Sequence, residues 1–413
     1  MSKSSLSGGL TRDATLRRQA LVACLVADAG ADAMAAAGDA LRALHDLSWL
    51  PAAAHFHRIG GYVRVAMTAN PDLAAREPEL MQVLERLDHV ATTAHLRSLG
   101  DLRWLGTVLE PTSLPWLVVK GPILSEHMHG GPGLRSYADL DIVVRGRHLE
   151  AVADALAVAG APVADRNWRM LREVAAGELN MKARYGTPID LHWQLLFRGT
   201  LRDQFDVRMG DFIDRARPLQ IAGMSVLSSD PIDTVLHLCL HAAMSGGHEL
   251  MWLKDIERAM VVDPPDWDVL VNRARDWRLG VVVGTMLQRV RGTLGLDVHT
   301  EVLEALFESR SYRLLSAAVD RAAPPAGATG RGSPARFMAK AARATPRLSR
   351  REMMARAGAL RPRNIRELVA PRHKAARGAD LLIAQGTDAD RAAYFAAVRR
   401  ADGAQESETR PAG

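Results

Sequence analysis

The sequence is poor in aromatic residues and cysteine and lacks long apolar runs. Phe, Trp and Tyr make up 5% of the 413 residues, so leucine, valine and alanine must supply most of the core. The chain has two cysteines, Cys24 and Cys239, and both lie in apolar stretches. Two cysteines are too few for a disulfide framework, and small buried thiols are typical of a reducing cytoplasm. No stretch reaches the roughly 18 apolar residues of a membrane span, and residues 20–26 are too short a run for export. We therefore expect a cytoplasmic protein without membrane contact.

The positive charge is concentrated in the C-terminal part of the chain. The formal net charge is +6, but residues 321–413 contain 19 Lys and Arg against 8 Asp and Glu, so the preceding residues are net negative. Pro, Gly, Ala and Arg dominate from Ala322 to about residue 350, which predicts a linker, with short helices expected at 350–358 and 388–400. Such a basic tail is usually solvated; the functional alternative is an arm that contacts nucleic acid or another polyanion.

Changes in hydrophobic periodicity divide the chain into four regions. Residues 13–108 have helical spacing, residues 109–228 mix short strands with helices, residues 229–320 return to helical spacing, and residues 321–413 form the basic tail. The first twelve residues, polar and rich in Gly and Ser, are expected to be disordered. The predicted fold class is α+β, with a small mixed-sheet core flanked by N- and C-terminal helical regions.

Short apolar runs predict the strands of the middle region. They occupy residues 116–119, 140–144, 179–184 and 188–193. Tyr185-Gly186-Thr187 joins the last two strands and predicts a hairpin. Helices are expected at 123–128 and 147–159. After about residue 200 the chain is expected to return to helices, with candidates at 235–243, 250–262, 269–279, 281–293 and 302–307.

Three aspartates lie on or beside two of these strands. Asp139 and Asp141 are alternate residues, so their side chains share a strand face, with Cα atoms roughly 6.5–7 Å apart. Asp190 lies inside an apolar strand, on the same face as His192. Mg²⁺ takes oxygen ligands and needs few carboxylates beside substrate phosphates, so Asp139, Asp141 and Asp190 are candidate ligands for two-metal phosphoryl transfer. Alternatively, the first two are turn or cap residues, and a buried Asp190 then needs a partner. His192 is expected to orient Asp190 or to hydrogen-bond within the sheet.

These motifs, in this order, resemble a known superfamily. Lys120-Gly121, then Arg135, then Asp139-Leu140-Asp141, then Ile189-Asp190-Leu191-His192-Trp193 are similar to the polymerase-β-like nucleotidyltransferases, and more closely to their uncharacterised bacterial nucleotidyltransferase branch. A later helix with His237 and His241 and the segment 251–255 are also similar, so the resemblance covers roughly residues 90–310. It implies a Mg²⁺-dependent enzyme that uses an NTP, with Asp139 and Asp141 binding two ions and Asp190 completing the catalytic metal site.

The residues expected to bind the triphosphate depart from the pattern of the superfamily. The wider superfamily has a Gly-Ser pair there, whereas this chain has Lys120-Gly121, with 17 residues between Gly121 and Asp139. Lys120 is predicted to contact phosphate as a point charge and Gly121 to let backbone N–H groups approach it. Arg135 is predicted to stabilise triphosphate charge from the glycine loop, residues 129–133. The alternatives are a capping lysine and a solvated loop arginine.

Further polar residues have weaker predictions. His127 and His129, beside the glycine loop, are expected to be an exposed pair; the alternative is that they line the pocket. His237 and His241 are expected to pack in a core, because no Glu or Cys completes a zinc set. Lys254 and Asp255 are expected to form polar contacts at the surface or between domains; a role in the substrate pocket is the alternative.

Three functions remain open at this point. The first is transfer of a nucleoside monophosphate from an NTP to an unidentified acceptor. The second is a catalytically inactive transferase-fold module that binds nucleic acid or a protein or peptide partner. The third is modification of a peptide or small molecule in a biosynthetic pathway; the residues identify neither the NTP nor the acceptor.

Overall fold

The computed structural model describes residues 3–26, 28, 30–327, 333–359 and 386–409. Within these ranges the α-helices are Lys3–Val26 (α1), Ala31–Arg42 (α2), Leu50–His57 (α3), Gly60–Thr68 (α4), Pro71–Arg76 (α5), Pro78–Leu109 (α6), Leu149–Val158 (α7), Trp168–Glu173 (α8), Gly199–Arg202 (α9), Met209–Asp214 (α10), Pro231–Ser245 (α11), Leu250–Val262 (α12), Trp267–Asp276 (α13), Gly280–Leu294 (α14), Thr300–Phe307 (α15), Arg310–Ala322 (α16), Pro334–Ala341 (α17), Pro346–Ala359 (α18) and Asp388–Thr409 (α19). The strands are Trp116–Val118 (β1), Leu140–Val144 (β2), Glu178–Lys182 (β3), Pro188–His192 (β4), Arg217–Ile221 (β5) and Met224–Ser228 (β6). Residues Ile123–Met128 form a π-helix.

A four-stranded mixed sheet lies at the centre, in the order β1-β2-β4-β3. β2 pairs parallel with β4, and both outer strands pair antiparallel with their neighbours. The predicted α+β class with a small mixed sheet is confirmed. The β5–β6 hairpin pairs only with itself and packs beside β1; this region was predicted to be helical.

The two faces of the sheet have different neighbours. The apolar residues of β2 and β4 that point to one face, such as Leu140, Ile142 and Leu191, pack in a core with α6 and α7. On the other face, Leu117 and Val143 join the larger core of the helical regions. Because side chains alternate along a strand, the polar residues between the apolar ones face the helical regions.

The predicted basic tail is partly folded. In place of a linker up to residue 350, α17 buries Ala335 and Met338 against α11. The helix expected at 388–400 is confirmed as α19, and its buried Tyr394 and Phe395 join the core on the apolar side of the sheet. Arg391 of α19 forms an ion pair with Asp154 on α7 at 2.5 Å, so some tail cations neutralise acids of the same chain. Much of the basic run, residues 360–385, lies outside the described residues.

The N-terminal prediction was also wrong in part. Residues 3–12 belong to helix α1, although they were expected to be disordered. Among the described helices, none combines the length and the apolar composition that crossing a bilayer requires.

Candidate active site

Strand pairing brings the predicted carboxylates together. Asp141 lies directly opposite Asp190 in the parallel β2–β4 pair, and Asp139 immediately precedes β2. Leu140, Ile189 and Leu191 anchor the strands from the apolar face and are fully buried. The side chains of Asp141 and Asp190 therefore share the face towards the helical regions, as the alternation predicted.

Asp141 is the most heavily bonded of the three carboxylates. Its Oδ1 accepts from the Lys120 ammonium at 2.8 Å and from His192 Nε2 at 3.1 Å. The other ring nitrogen of His192 lies 3.2 Å from Glu178 Oε2. Burial favours the protonated form of Asp141, but Lys120 and His192 outweigh it and hold the pKa of this carboxyl well below its usual range.

The neighbouring groups respond to the same charges. Burial would lower the pKa of the Lys120 amine, but the Asp141 carboxylate dominates and raises it. Burial, followed by the charge of Asp141, raises the pKa of Asp139. Burial, opposed by His192 and assisted by Glu178, raises the pKa of Asp190 to about 6. The site thus contains more acid than its own cations neutralise.

This arrangement fits a divalent cation. Asp141, Asp190 and His192 each offer one ligand atom, and these three atoms lie within 4.8 Å of one another. Two carboxylates are the donors that a hard cation prefers, and the imidazole also suits transition metals. Asp139 lies outside this set, so its predicted role as a ligand stays a prediction. The expected hydrogen bond of His192 within the sheet is confirmed, with Asp141 of β2 as the partner.

Gly121 brings the Lys120 turn close to the carboxylates. Its φ is +52°, a left-handed conformation that favours glycine. A Cβ at this position would lie 3.0 Å from the Asp139 backbone oxygen and 3.3 Å from the ring of Tyr137. The observed role of Gly121 is therefore to allow close packing against Asp139; contact with a phosphate stays a prediction.

Arg135 is held by the C-terminal helices. Its Nε and Nη2 donate to Asp255 of α12 at 2.6 and 3.1 Å. The same Asp255 accepts from His129 Nε2 at 2.8 Å. His129 is buried, so it is not the exposed loop residue that was expected, and Asp255 is a buried contact between regions rather than a surface group.

Helix α11 lies within electrostatic range of the site. Burial and the Lys120 charge hold the pKa of His237 well below its usual value. Lys120, followed by burial, lowers the pKa of His241 to about 3. The rings of His237 and His241 pack edge-on against Phe212 and Trp252, so the predicted core packing is confirmed and both histidines are neutral.

Sequence reasoning missed two residues near the carboxylates. Glu178 pairs in register with His192 across β3 and β4, which the alternation of these strands could have indicated. Arg58, in a left-handed conformation at the end of α3 (φ 59°), acts electrostatically on Asp139. No local pattern connects Arg58 with a strand some 80 positions away.

The motifs that resemble those of nucleotidyltransferases thus meet in one place, where a carboxylate pair on adjacent strands of a small mixed sheet lies beside the Lys120 ammonium. The chain belongs to the uncharacterised nucleotidyltransferase family, whose model matches residues 45–295. This membership supports a nucleotidyl transfer function.

Two solved structures are similar to parts of the chain. One is the solution structure of the antibiotic-resistance factor ANT(2'')-Ia, with 12% identity over 55% of this chain and 96% of that chain, at a TM-score of 0.29. The other is an antigenic nucleotidyltransferase-like protein from Paracoccidioides brasiliensis, with 16% identity over 53% of this chain and 99% of that chain, at a TM-score of 0.32. Similarity at these scores transfers no feature to this chain. No curated protein matches the sequence.

Proposed function

We propose that this protein is a Mg²⁺-dependent nucleotidyltransferase that moves a nucleoside monophosphate from an NTP to an acceptor, with cleavage of the bond between the α- and β-phosphates and release of pyrophosphate. The observation that carries the proposal is the set of Asp141, Asp190 and His192, whose ligand atoms lie within 4.8 Å of one another, in a chain of this family. Asp139, one residue before β2, would be the further ligand for a second ion.

The acidic excess of the site supports a cation there. Asp141 and Asp190 would hold the ion with His192. When bound, Mg²⁺ would neutralise triphosphate charge and favour attack by the acceptor oxygen. Burial, assisted by the charges of Glu178, Asp141 and Asp139, raises the pKa of Asp190 against the effect of His192, and a bound cation would favour the ionised carboxylate.

The chain's own groups have distinct tasks in this proposal. Lys120, now 2.8 Å from Asp141, would exchange this partner for a phosphate oxygen. Asp190 would accept the proton of the acceptor group. His192 would turn one ring nitrogen from Asp141 to the ion, while the other, 3.2 Å from Glu178, would orient the ring.

Transfer can be tested with nucleotides labelled at different phosphates. The protein would be incubated with Mg²⁺, each of the four NTPs, and fractions of small molecules and of RNA as acceptors. We expect label from the α-phosphate, and none from the γ-phosphate, to enter an acceptor.

The test has a matched pair of variants. Asp141→Asn should abolish labelling, whereas Asp203→Asn removes an exposed carboxylate of the same region and should leave labelling unchanged. Equal labelling by wild type and Asp141→Asn, or transfer of the γ-phosphate instead, would contradict the proposal.

A further inference from the structure

The glycine loop is anchored at both ends by one carboxylate. His129 opens the loop and Arg135 follows it, and both donate to Asp255 on α12. Between them, Gly133 packs against Gly61 of α4, where a Cβ would lie 1.9 Å from the Gly133 oxygen. The loop is thus fixed by helices from both helical regions.

The chain of hydrogen bonds continues into the N-terminal region. Tyr62 of α4 lies 2.7 Å from His129 Nδ1. Burial lowers the pKa of His129, so the imidazole is neutral and can donate from only one nitrogen. With Nε2–H donating to Asp255, Nδ1 accepts from the Tyr62 hydroxyl. Asp255 and Arg135 are then the charged members of the network, and they form one buried ion pair.

Arg135 has a nitrogen that this network leaves unused. Nη1 is buried and has no hydrogen-bond partner among the described residues, although Nε and Nη2 are both bonded. A buried donor without a partner carries a desolvation cost of roughly 1–3 kcal/mol. The guanidinium is also within electrostatic range of Asp139 and Asp141, so it lies beside the candidate active site.

We propose that Tyr62, His129 and Asp255 form a positioning relay that aims Nη1 of Arg135 at a phosphate group of the substrate. Arg135 is the binding residue, and the other three act through it. The relay spans α4, the glycine loop and α12, so phosphate binding depends on both helical regions. This inference rests on the proposed function, because it concerns the phosphate side of the same site.

Unbonded nitrogens also occur in other buried arginines, such as Nε of Arg343, whereas Arg289 bonds to Asp320 and to three backbone oxygens. What distinguishes Arg135 is the place of its unbonded nitrogen, on a guanidinium within electrostatic range of Asp139 and Asp141. Arg135 has its other two nitrogens fixed by a bidentate carboxylate, which sets the direction of the third.

Inorganic triphosphate with Mg²⁺ is a suitable probe, because it binds without any transfer reaction. Isothermal titration would compare wild type with Arg135→Gln, Asp255→Asn and Tyr62→Phe. We expect Arg135→Gln to weaken binding roughly 10- to 100-fold, as for a lost hydrogen bond to a charged group. Tyr62→Phe, which removes one hydroxyl group, should weaken it severalfold.

The control is Tyr312→Phe, which removes an equally buried phenol hydroxyl far along the chain and should leave binding unchanged. Since Asp255→Asn leaves a buried Arg135 with a weaker partner, this variant can lose its fold; Tyr62→Phe and Arg135→Lys then carry the test. Arg135→Lys keeps the positive charge but loses the planar guanidinium that binds a carboxylate through two nitrogens, so this variant should also bind triphosphate more weakly.

The outcomes separate the relay from the enzyme activity. Wild type that binds no triphosphate, or binds it as Arg135→Gln does, would overturn the inference even if nucleotidyl transfer is observed. Weak binding by Arg135→Gln with unchanged binding by Tyr62→Phe and by folded Asp255→Asn would overturn the relay. Triphosphate binding that depends on Arg135 and Tyr62, without any transfer of the α-label, would support the inference and contradict the proposed function.

Discussion

Lys120 reaches the Asp141 carboxylate at 2.8 Å, closer than His192 at 3.1 Å. Asp139 and Asp190 have raised pKa values while that of Asp141 is lowered. Lys120 and His192 therefore keep Asp141 the most strongly ionised of the three carboxylates, while burial raises the pKa of the other two. The sequence motif predicted that these residues belong together, but it could not predict which carboxylate the lysine contacts, because that depends on the left-handed turn at Gly121.

Gly121 provides a test at the scale of one residue. Gly121→Ala puts a Cβ at a φ of +52° and 3.0 Å from the Asp139 oxygen. The left-handed conformation alone costs an alanine about 1–2 kcal/mol, and displacement of Asp139 should also reduce nucleotidyl transfer. Urea unfolding and the labelling assay measure the two effects.

Gly106 supplies the matched control. It lies inside α6, and a Cβ there has no atom within 4 Å. Gly106→Ala should stabilise the helix by up to about 1 kcal/mol and leave transfer unchanged. An equal response to both substitutions would show that the close approach at Gly121 has no importance.

At the scale of secondary structure, the elements that the sequence predicted well are those with clear periodicity. β2 occupies Leu140–Val144 and α12 occupies Leu250–Val262, as predicted. The β5–β6 hairpin was missed because Ala222 and Gly223 form its turn with positive φ values of 47° and 76°. Hairpin turns of this kind favour Asn-Gly or Asp-Gly, so Ala-Gly gave no signal.

Helix α19 packs into the core, although the basic composition of the C-terminal tail predicted a solvated segment. Its Phe395 is 1% exposed and packs against Trp168 with ring centroids 5.5 Å apart, so it completes the core beneath the sheet. Phe395→Ala should lower the free energy of unfolding by about 3–5 kcal/mol.

Met354→Ala is the control for Phe395→Ala. Met354 lies in α18 with 74% of its surface exposed, so Met354→Ala should change stability by at most about 0.5 kcal/mol. Urea titration followed by circular dichroism measures both variants. A loss for Phe395→Ala no larger than that for Met354→Ala would mean that α19 does not contribute to the core.

At the scale of the whole molecule, contacts between distant regions of the chain fix the positions of motif residues such as Arg135. Arg135 and Asp255 are 120 positions apart and form a buried ion pair; no spacing rule could have paired them. The sequence therefore predicted the sheet and its carboxylates, which rest on local alternation, and missed how Arg135 and His129 are used, which depends on α12.

The Asp255–Arg135 pair predicts how stability depends on pH. Arg135 and His129 outweigh burial and hold the pKa of Asp255 below its usual value. A lowered pKa in the folded state stabilises the fold above the unfolded-state pKa of about 3.9, and this contribution is lost as pH falls towards the folded-state pKa. The difference in unfolding free energy between wild type and Asp255→Asn should therefore be smaller at pH 3 than at pH 6. Urea titrations at both pH values check this, and a difference that grows on acidification would refute it.

The central claim is that Asp141 and Asp190 hold a divalent cation at a nucleotide site. The most direct measurement is a titration of Mn²⁺, a paramagnetic substitute for Mg²⁺, followed by electron paramagnetic resonance with and without ATP. We predict saturable binding that ATP tightens in wild type, and binding at least tenfold weaker, about 1.4 kcal/mol, in Asp141→Asn and Asp190→Asn. Wild-type affinity in both variants would contradict the claim.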